Sequence, residues 1–240
     1  MSGYWGRSAT VIKETAKMVY NADYLFRATE RTVATMTSKK DLENWVKGSD
    51  RDIGGFSDVW LDTTGSGHAK FHGYISQKLP EDTRFNRSGY AMVRTRDPRP
   101  NILGDGTWDS SLYRYLAIRV KADRRKYFVN LKTDTLIQTD IYQHLLPIRK
   151  PGQWETVILP FNMFTLTSNS VILASQPMMA STNMQTVGFS LSDRREGPFS
   201  LEFAWIKAIN TNFTFGEVVR LSYHPDVTWK TDFARLDKKL

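Results

Sequence analysis

From about residue 56 onward the chain keeps returning an apolar residue at every second position. Ala69, Phe71, Gly73 and Ile75 alternate with polar neighbours, as do Leu116, Ile118 and Val120, then Tyr127, Val129 and Leu131. Val157 and Leu159, then Val187, Phe189 and Leu191, and last Leu201, Phe203 and Trp205 continue the pattern. Side chains on a strand point alternately to its two faces, so each segment can bury one face against a second layer. Turn formers separate the segments: Gly104-Asp105-Gly106, Lys150-Pro151-Gly152 and Glu196-Gly197-Pro198. No helical stretch between them is long enough for a parallel crossover. The pattern therefore predicts a mostly β fold, an antiparallel β-sandwich of about eight to ten short strands. Phe71, Ile118, Val120, Leu159, Phe189, Leu201 and Trp205 are the expected core. Trp154 and Trp205 are expected to fill the space between the sheets.

Ahead of this region the period is closer to 3.6. Ile12, Ala16, Val19 and Tyr20 share one helical face within Ser8–Tyr20. A second helix is predicted over Lys39–Lys47: Ser38 caps it with Asp41 three residues on, Leu42, Trp45 and Val46 share a face, and Gly48 ends it. Three parts follow: an N-terminal helical extension over 1–49, a β-sandwich domain over 50–210, and a tail over 211–240 packed on that domain. Ser168–Ser181 reads as a long loop. Residues 1–40 are basic and rich in Ser and Thr, but Glu14, Asp23 and Glu30 are unusual in a transit peptide. The segment is expected to be mature structure, with any cleaved presequence upstream of it.

The net charge of +8 favours acidic partners such as acidic protein surfaces or anionic headgroups. No zinc-finger spacing, basic heptad leader or RNP-type aromatic motif is present, so nucleic acid is not an expected partner. Two local basic clusters stand out: Arg94, Arg96 and Arg99 near the end of one strand, and Lys121, Arg124, Arg125 and Lys126 in a turn between two others. Asp193, Arg194, Arg195 and Glu196 form a charged turn before Gly197-Pro198. The candidate partner-binding residues are Arg94, Arg96, Arg99, Lys121, Arg124, Arg125, Lys126, Asp193, Arg194 and Arg195. As loop charges they are expected to stay solvated and to steer encounter. The competing account is that they keep a basic protein soluble.

Catalytic machinery is not legible. Cysteine is absent, which removes thiol catalysis, disulfides and Cys-based metal sites. His68 and His72 are four apart, but on a strand that spacing spans roughly 13 Å, too far for two ligands of one ion. There is no nucleophile elbow, phosphate loop or dinucleotide fingerprint. Asp105 and Asp109 lack the ligand spacing of a calcium loop. No cofactor, metal or turnover is expected. Trp60 and Trp108 lie nearer loops, and an exposed indole on a β-sandwich can stack on a sugar, so a carbohydrate-binding module is the alternative function. Asn86-Arg87-Ser88 and Asn212-Phe213-Thr214 match glycosylation sequons, which arise easily by chance and do not fix a compartment.

Six blocks in order give a more specific signal. They begin with Ser49-Asp50-Arg51-Asp52-Ile53-Gly54-Gly55-Phe56-Ser57 and Phe71-His72-Gly73-Tyr74-Ile75-Ser76. Ser88-Gly89-Tyr90-Ala91 follows, then Leu116-Ala117-Ile118-Arg119-Val120 with Tyr127 and Asn130-Leu131. Trp154-Glu155-Thr156-Val157 leads to Pro160-Phe161 and Phe164. Val187-Gly188-Phe189-Ser190-Leu191-Ser192-Asp193 leads into Gly197-Pro198-Phe199-Ser200-Leu201-Glu202. Over about residues 41–210 the chain resembles the complex I intermediate-associated protein family. That resemblance implies a galactose-binding-like jelly roll in the mitochondrial matrix, at most peripheral to the inner membrane. It implies an assembly factor that binds membrane-arm intermediates of respiratory complex I together with other assembly proteins. It brings no catalytic residues. In the motif itself, Gly54-Gly55 is expected to make a positive-φ turn or a close backbone approach. Trp154 is expected to anchor the core, and Pro160 to stop an edge strand.

Overall fold

The computed structural model describes residues 30–81, 88–97, 107–135, 137–169, 171–177, 179 and 183–210. The predicted helix Ser8–Tyr20, the tail 211–240, Arg99, and both sequon asparagines lie outside the described residues. Among the described residues fourteen strands, more than the eight to ten expected, form two antiparallel sheets. The first sheet has the order β10-β7-β14-β4-β3, from Glu155–Pro160, Tyr115–Ala122, Gly197–Ile209, Ala69–Ile75 and Asp58–Thr63. The long β14 also carries β1, Glu30–Thr35, beside its second half. The second sheet has the order β12-β11-β9-β8-β13-β5-β2. Its strands are Val171–Ile172, Thr165–Ser168, Asp140–Leu145, Tyr127–Thr133, Asn183–Leu191, Ala91–Thr95 and Trp45–Ser49, with β6, Trp108–Asp109, pairing on β13.

The inward rows meet as the alternation requires. Phe71, Ile118, Val120, Leu159, Phe189 and Leu201 are all buried. Phe203 of the first sheet packs against Phe189 and Trp45 of the second, at ring-centroid distances of 5.0 and 4.9 Å. Among the described residues no helix is long and apolar enough to cross a membrane.

Three sequence expectations need correction. The first is the helix over Lys39–Lys47. Ser38 does begin a helical turn, and its amide donates to the Asp41 carboxylate at 2.9 Å. The turn is a 3-10 helix that stops at Asn44, however, and Trp45–Ser49 is strand β2, paired with β5. The spacing of Leu42, Trp45 and Val46 suits a helix. Extending the chain instead lets Trp45 reach Phe203 in the core, and that burial wins.

The second correction concerns Trp205, which is half-buried and not between the sheets. Opposite β7 the register steps from Phe203↔Val120 to Trp205↔Arg119, which leaves Ala204 as the extra residue of a β-bulge. The Ala204 carbonyl accepts the Met36 amide at 2.8 Å. Past the bulge the faces exchange: Ile206 and Ala208 point inward, while Trp205 packs with Tyr115, Ala117, Ile158 and Ile209 on the outer face. Trp154 is the third. It too is half-buried, placed edge-on to His68 at 4.7 Å with the Arg119 guanidinium 6.0 Å from its ring centre. Pro160 does end an edge strand, because β10 pairs with β7 alone.

Candidate functional site

The turn β7–β8 passes from the first sheet to the second, and the turn β13–β14 passes back. β7 pairs with β14 and β8 with β13, so the two crossings lie side by side at one end of the sandwich. Each carries one of the charged clusters named from the sequence, and a single guanidinium ties them together. Arg125 donates from Nε and Nη2 to the two Asp193 carboxylate oxygens, at 2.8 Å each. Its Nη1 donates to the carbonyls of Gly197 and Pro198 at 3.2 and 3.0 Å, and Nη2 also donates to the Arg195 carbonyl. All five N–H donors of the fork are used. The Arg125 and Asp193 side chains are only 7% and 1% exposed. Asp123 extends the clasp: it accepts the Arg125 and Ser200 amides at 2.8 and 2.7 Å, and the Tyr127 hydroxyl at 3.1 Å.

Arg125 therefore does not have the solvated position expected of it. Burial works against its charged form, but the hydrogen bonds and charge of Asp193 outweigh that and raise its pKa. Burial alone would also raise the Asp193 carboxyl. The hydrogen bonds and charge of Arg125, with the Arg195 and Lys126 amides, instead hold it below its ordinary value of 3.8. Burial, helped by the Asp123 carboxylate, pushes the Tyr127 phenol above its usual range. A carboxyl depressed by folding adds stability above its unfolded pKa and loses it as pH falls through the folded value. Urea midpoints of the native chain should therefore fall from about pH 5 toward about pH 2, more steeply than those of a chain with Asp193→Leu and Arg125→Met. Parallel slopes would mean that the clasp carries no proton linkage.

The other candidate residues divide by position. Arg124, Lys126, Arg194 and Arg195 are exposed around the clasp, so the structure gathers four cations at one end. Arg94 lies on the outer face of the second sheet, paired with Asp97 at 2.9 Å. Arg96, past the far end of β5, donates to the Glu43 carbonyl at 2.7 Å. Lys121 is on the outer face of the first sheet, paired with Glu202 at 3.1 Å.

A second polar centre lies under the first sequence block. Asp50 is fully buried. One of its oxygens accepts the Ser57 amide at 2.9 Å, and the other accepts the Ser57 hydroxyl at 2.9 Å and the Gly89 amide at 2.6 Å. Gly54 adopts φ 85°, and a Cβ on Gly55 would sit 2.4 Å from Asp50 Cγ. The positive-φ alternative expected of the pair holds at Gly54, while at Gly55 the close neighbour is the Asp50 side chain. Sequence reasoning singled out the block but not Asp50, whose partner Gly89 is 39 residues away.

His68 and His72 go to separate partners. The His68 ring meets Trp154, and His72 Nε2 lies 2.8 Å from Asp62 Oδ2. Trp60 is 45% exposed on β3, with one face stacked on His72, and Trp108 is half-buried under Arg31. Among the described residues no group of three or more His, Cys, Asp or Glu could hold a metal ion.

Fold and site together define a two-sheet β-sandwich whose most buried charges staple its loops. The family described as Complex I intermediate-associated protein 30 (CIA30) matches residues 34–203, and the chain belongs to it. The mitochondrial complex I intermediate-associated protein 30 of Neurospora crassa is 36% identical over 223 residues, 82% of this chain and 80% of that protein. Its Mus musculus counterpart is 31% identical over 180 residues, 73% of this chain. The match takes in 55% of the mouse protein, so the chain spans about half of that relative's length. Among solved structures, a family 11 carbohydrate-binding module from Clostridium thermocellum is similar at 16% identity and a TM-score of 0.47, over 76% of this chain and 95% of that one. A family 30 carbohydrate-binding module is similar at 13% identity and a TM-score of 0.45, over 79% and 92%.

Proposed function

We propose that this protein is a mitochondrial assembly factor that binds membrane-arm intermediates of respiratory complex I, alongside other assembly factors, and catalyses nothing. The observation that carries the reading is the family match over residues 34–203, which runs from β1 into β14 and so takes in both sheets. The polar groups of the blocks and of the clasp fit a binding scaffold: Asp50, Ser57, Arg125 and Asp193 spend their hydrogen-bonding capacity on the fold. The protein works in the matrix, with peripheral contact to the inner membrane. Arg124, Lys126, Arg194 and Arg195 form the docking tip, whose exposed charges steer encounter with an acidic partner surface.

Affinity purification of the full chain from mitochondria tests the reading. Membrane-arm subunits should co-purify while the arm is being built and should be absent once it is complete; no co-purification would overturn the proposal. Changing the four tip cations to Ser, with Arg125 kept, should leave stability within about 0.5 kcal/mol. Capture should weaken most at low salt, where the Debye length is longest. Unchanged capture at every ionic strength would remove the tip from the interface.

A further inference from the structure

The 37 residues Thr156–Ser192 contain no Asp, Glu, Lys, Arg or His, in a chain with 24% charged residues. The fold sets part of this stretch along one lateral side. β10 is the edge of the first sheet, β12 is the edge of the second, and the 3-10 turn Phe161–Met163 and β11 connect them. β13 explains its own share of the neutrality, because it lies inside the second sheet. The lateral wall does not, because its tips are in solvent: Met163 is 52% exposed, Val171 60% and Ile172 69%. Leu145 on the adjacent β9 is exposed too. Beside Met163 opens a cleft of about 450 Å³ lined by Tyr113, Tyr115, Pro160, Phe161 and Met163, with the exposed Arg114 also on its lining.

Exposed apolar residues scattered singly need no explanation, but several along one uncharged edge do. The centres of protein interfaces are depleted of charge and enriched in aromatic residues and Met, and their strongest contacts are side chains seated in pockets. We propose that the wall formed by β10, Phe161–Met163, β11 and β12 docks an uncharged, apolar segment of a partner protein, with one large apolar side chain seated in the cleft. The proposal rests on the assembly-factor reading and names the surface that would hold the intermediate. Charge selects the occupant. Away from Arg114 at the cleft, a charged partner segment would lose water against residues 156–172, which offer it no counter-charge. A membrane surface is matched by Lys and Arg beside Trp and Phe, and Thr156–Ser192 holds neither Lys, Arg nor Trp. The partner's own free edge is not required, because β12 is only two residues long and the Gln176 side chain completes the pairing of Leu166 beside it.

The test uses the full chain carrying Ile172→Lys or Met163→Glu, two exposed positions whose melting temperatures should match the native protein. Each should reduce capture of complex I intermediates from mitochondrial lysate at least tenfold, and equally at low and high salt. The tip variant, by contrast, should respond to salt. Full capture by both wall variants, where the native chain captures normally, overturns the wall while leaving the assembly reading intact. If the native chain captures nothing, that reading fails and the wall falls with it. Two further arms separate other occupants. Loss of flotation with anionic phospholipid vesicles in the variants would make the wall a membrane face. A native dimer that Ile172→Lys converts to monomer in sedimentation velocity would make it a self-association face. Either result would overturn the proposal.

Discussion

Replacing Arg125 with Met should lower the unfolding free energy by about 3–5 kcal/mol, the cost of leaving one partner of a buried ion pair uncompensated. Asp193 would keep its carboxylate in a site where 1% of the side chain is exposed, with only the Arg195 and Lys126 amides left to bond it. Three carbonyls, of Arg195, Gly197 and Pro198, would lose their donor as well. Adding Asp193→Leu should recover much of the loss, because removing both charges removes the uncompensated one. Urea unfolding of the four chains of this double-mutant cycle measures the coupling. A loss below about 1 kcal/mol for Arg125→Met alone would place this arginine with ordinary surface charges. The same reasoning discards a simpler test of the basic tip: a Ser substitution at Arg125 would confuse unfolding with lost docking, so only Arg124, Lys126, Arg194 and Arg195 are suitable.

The clasp also shows where a sequence stops being informative. The clusters around Arg125 and Asp193 are both visible as charge, but 68 residues separate them. Only the pairing of β7 with β14 and of β8 with β13 makes them neighbours. A single sequence carries no sign of that pairing. The alternation, by contrast, is local, and it correctly gives the inward row of Phe71, Ile118, Val120, Leu159, Phe189 and Leu201. It fails at Trp205 because one extra residue, Ala204, reverses the phase of everything after it. Strands β1, β11 and β12 are short or lie at sheet edges, and their sequences keep too little alternation to be told from loop. For β2 the apolar spacing suits a helix, and the contact that overrides it is with Phe203, far along the chain.

The buried carboxylate of Asp50 should account for Gly55. Asp50→Ala strands the amides of Ser57 and Gly89, each losing its acceptor inside the protein. The Ser57 hydroxyl can turn to the Ser76 carbonyl, 3.4 Å away, so two unsatisfied donors are the expected damage. At about 1–3 kcal/mol for each, the variant should lose on the order of 2–6 kcal/mol. Gly55→Ala should be costly for a different reason: its new Cβ would overlap Asp50 Cγ and Cβ at 2.4 and 2.7 Å, in a spot with no room to yield. Overpacking of this kind costs about 1–3 kcal/mol. The two losses should not add. With Asp50 already cut to Ala, the contacts to Cγ at 2.4 Å and Oδ1 at 2.7 Å are gone and that to Cβ at 2.7 Å remains, so the overlap is reduced and not abolished. Gly55→Ala should then cost clearly less in the Asp50→Ala background than in the native chain, a coupling well above the few tenths of a kcal/mol that independent sites show. If chemical denaturation finds the two changes additive, the carboxylate is not what keeps residue 55 a glycine, and its close approach to Asp50 would be incidental to the turn.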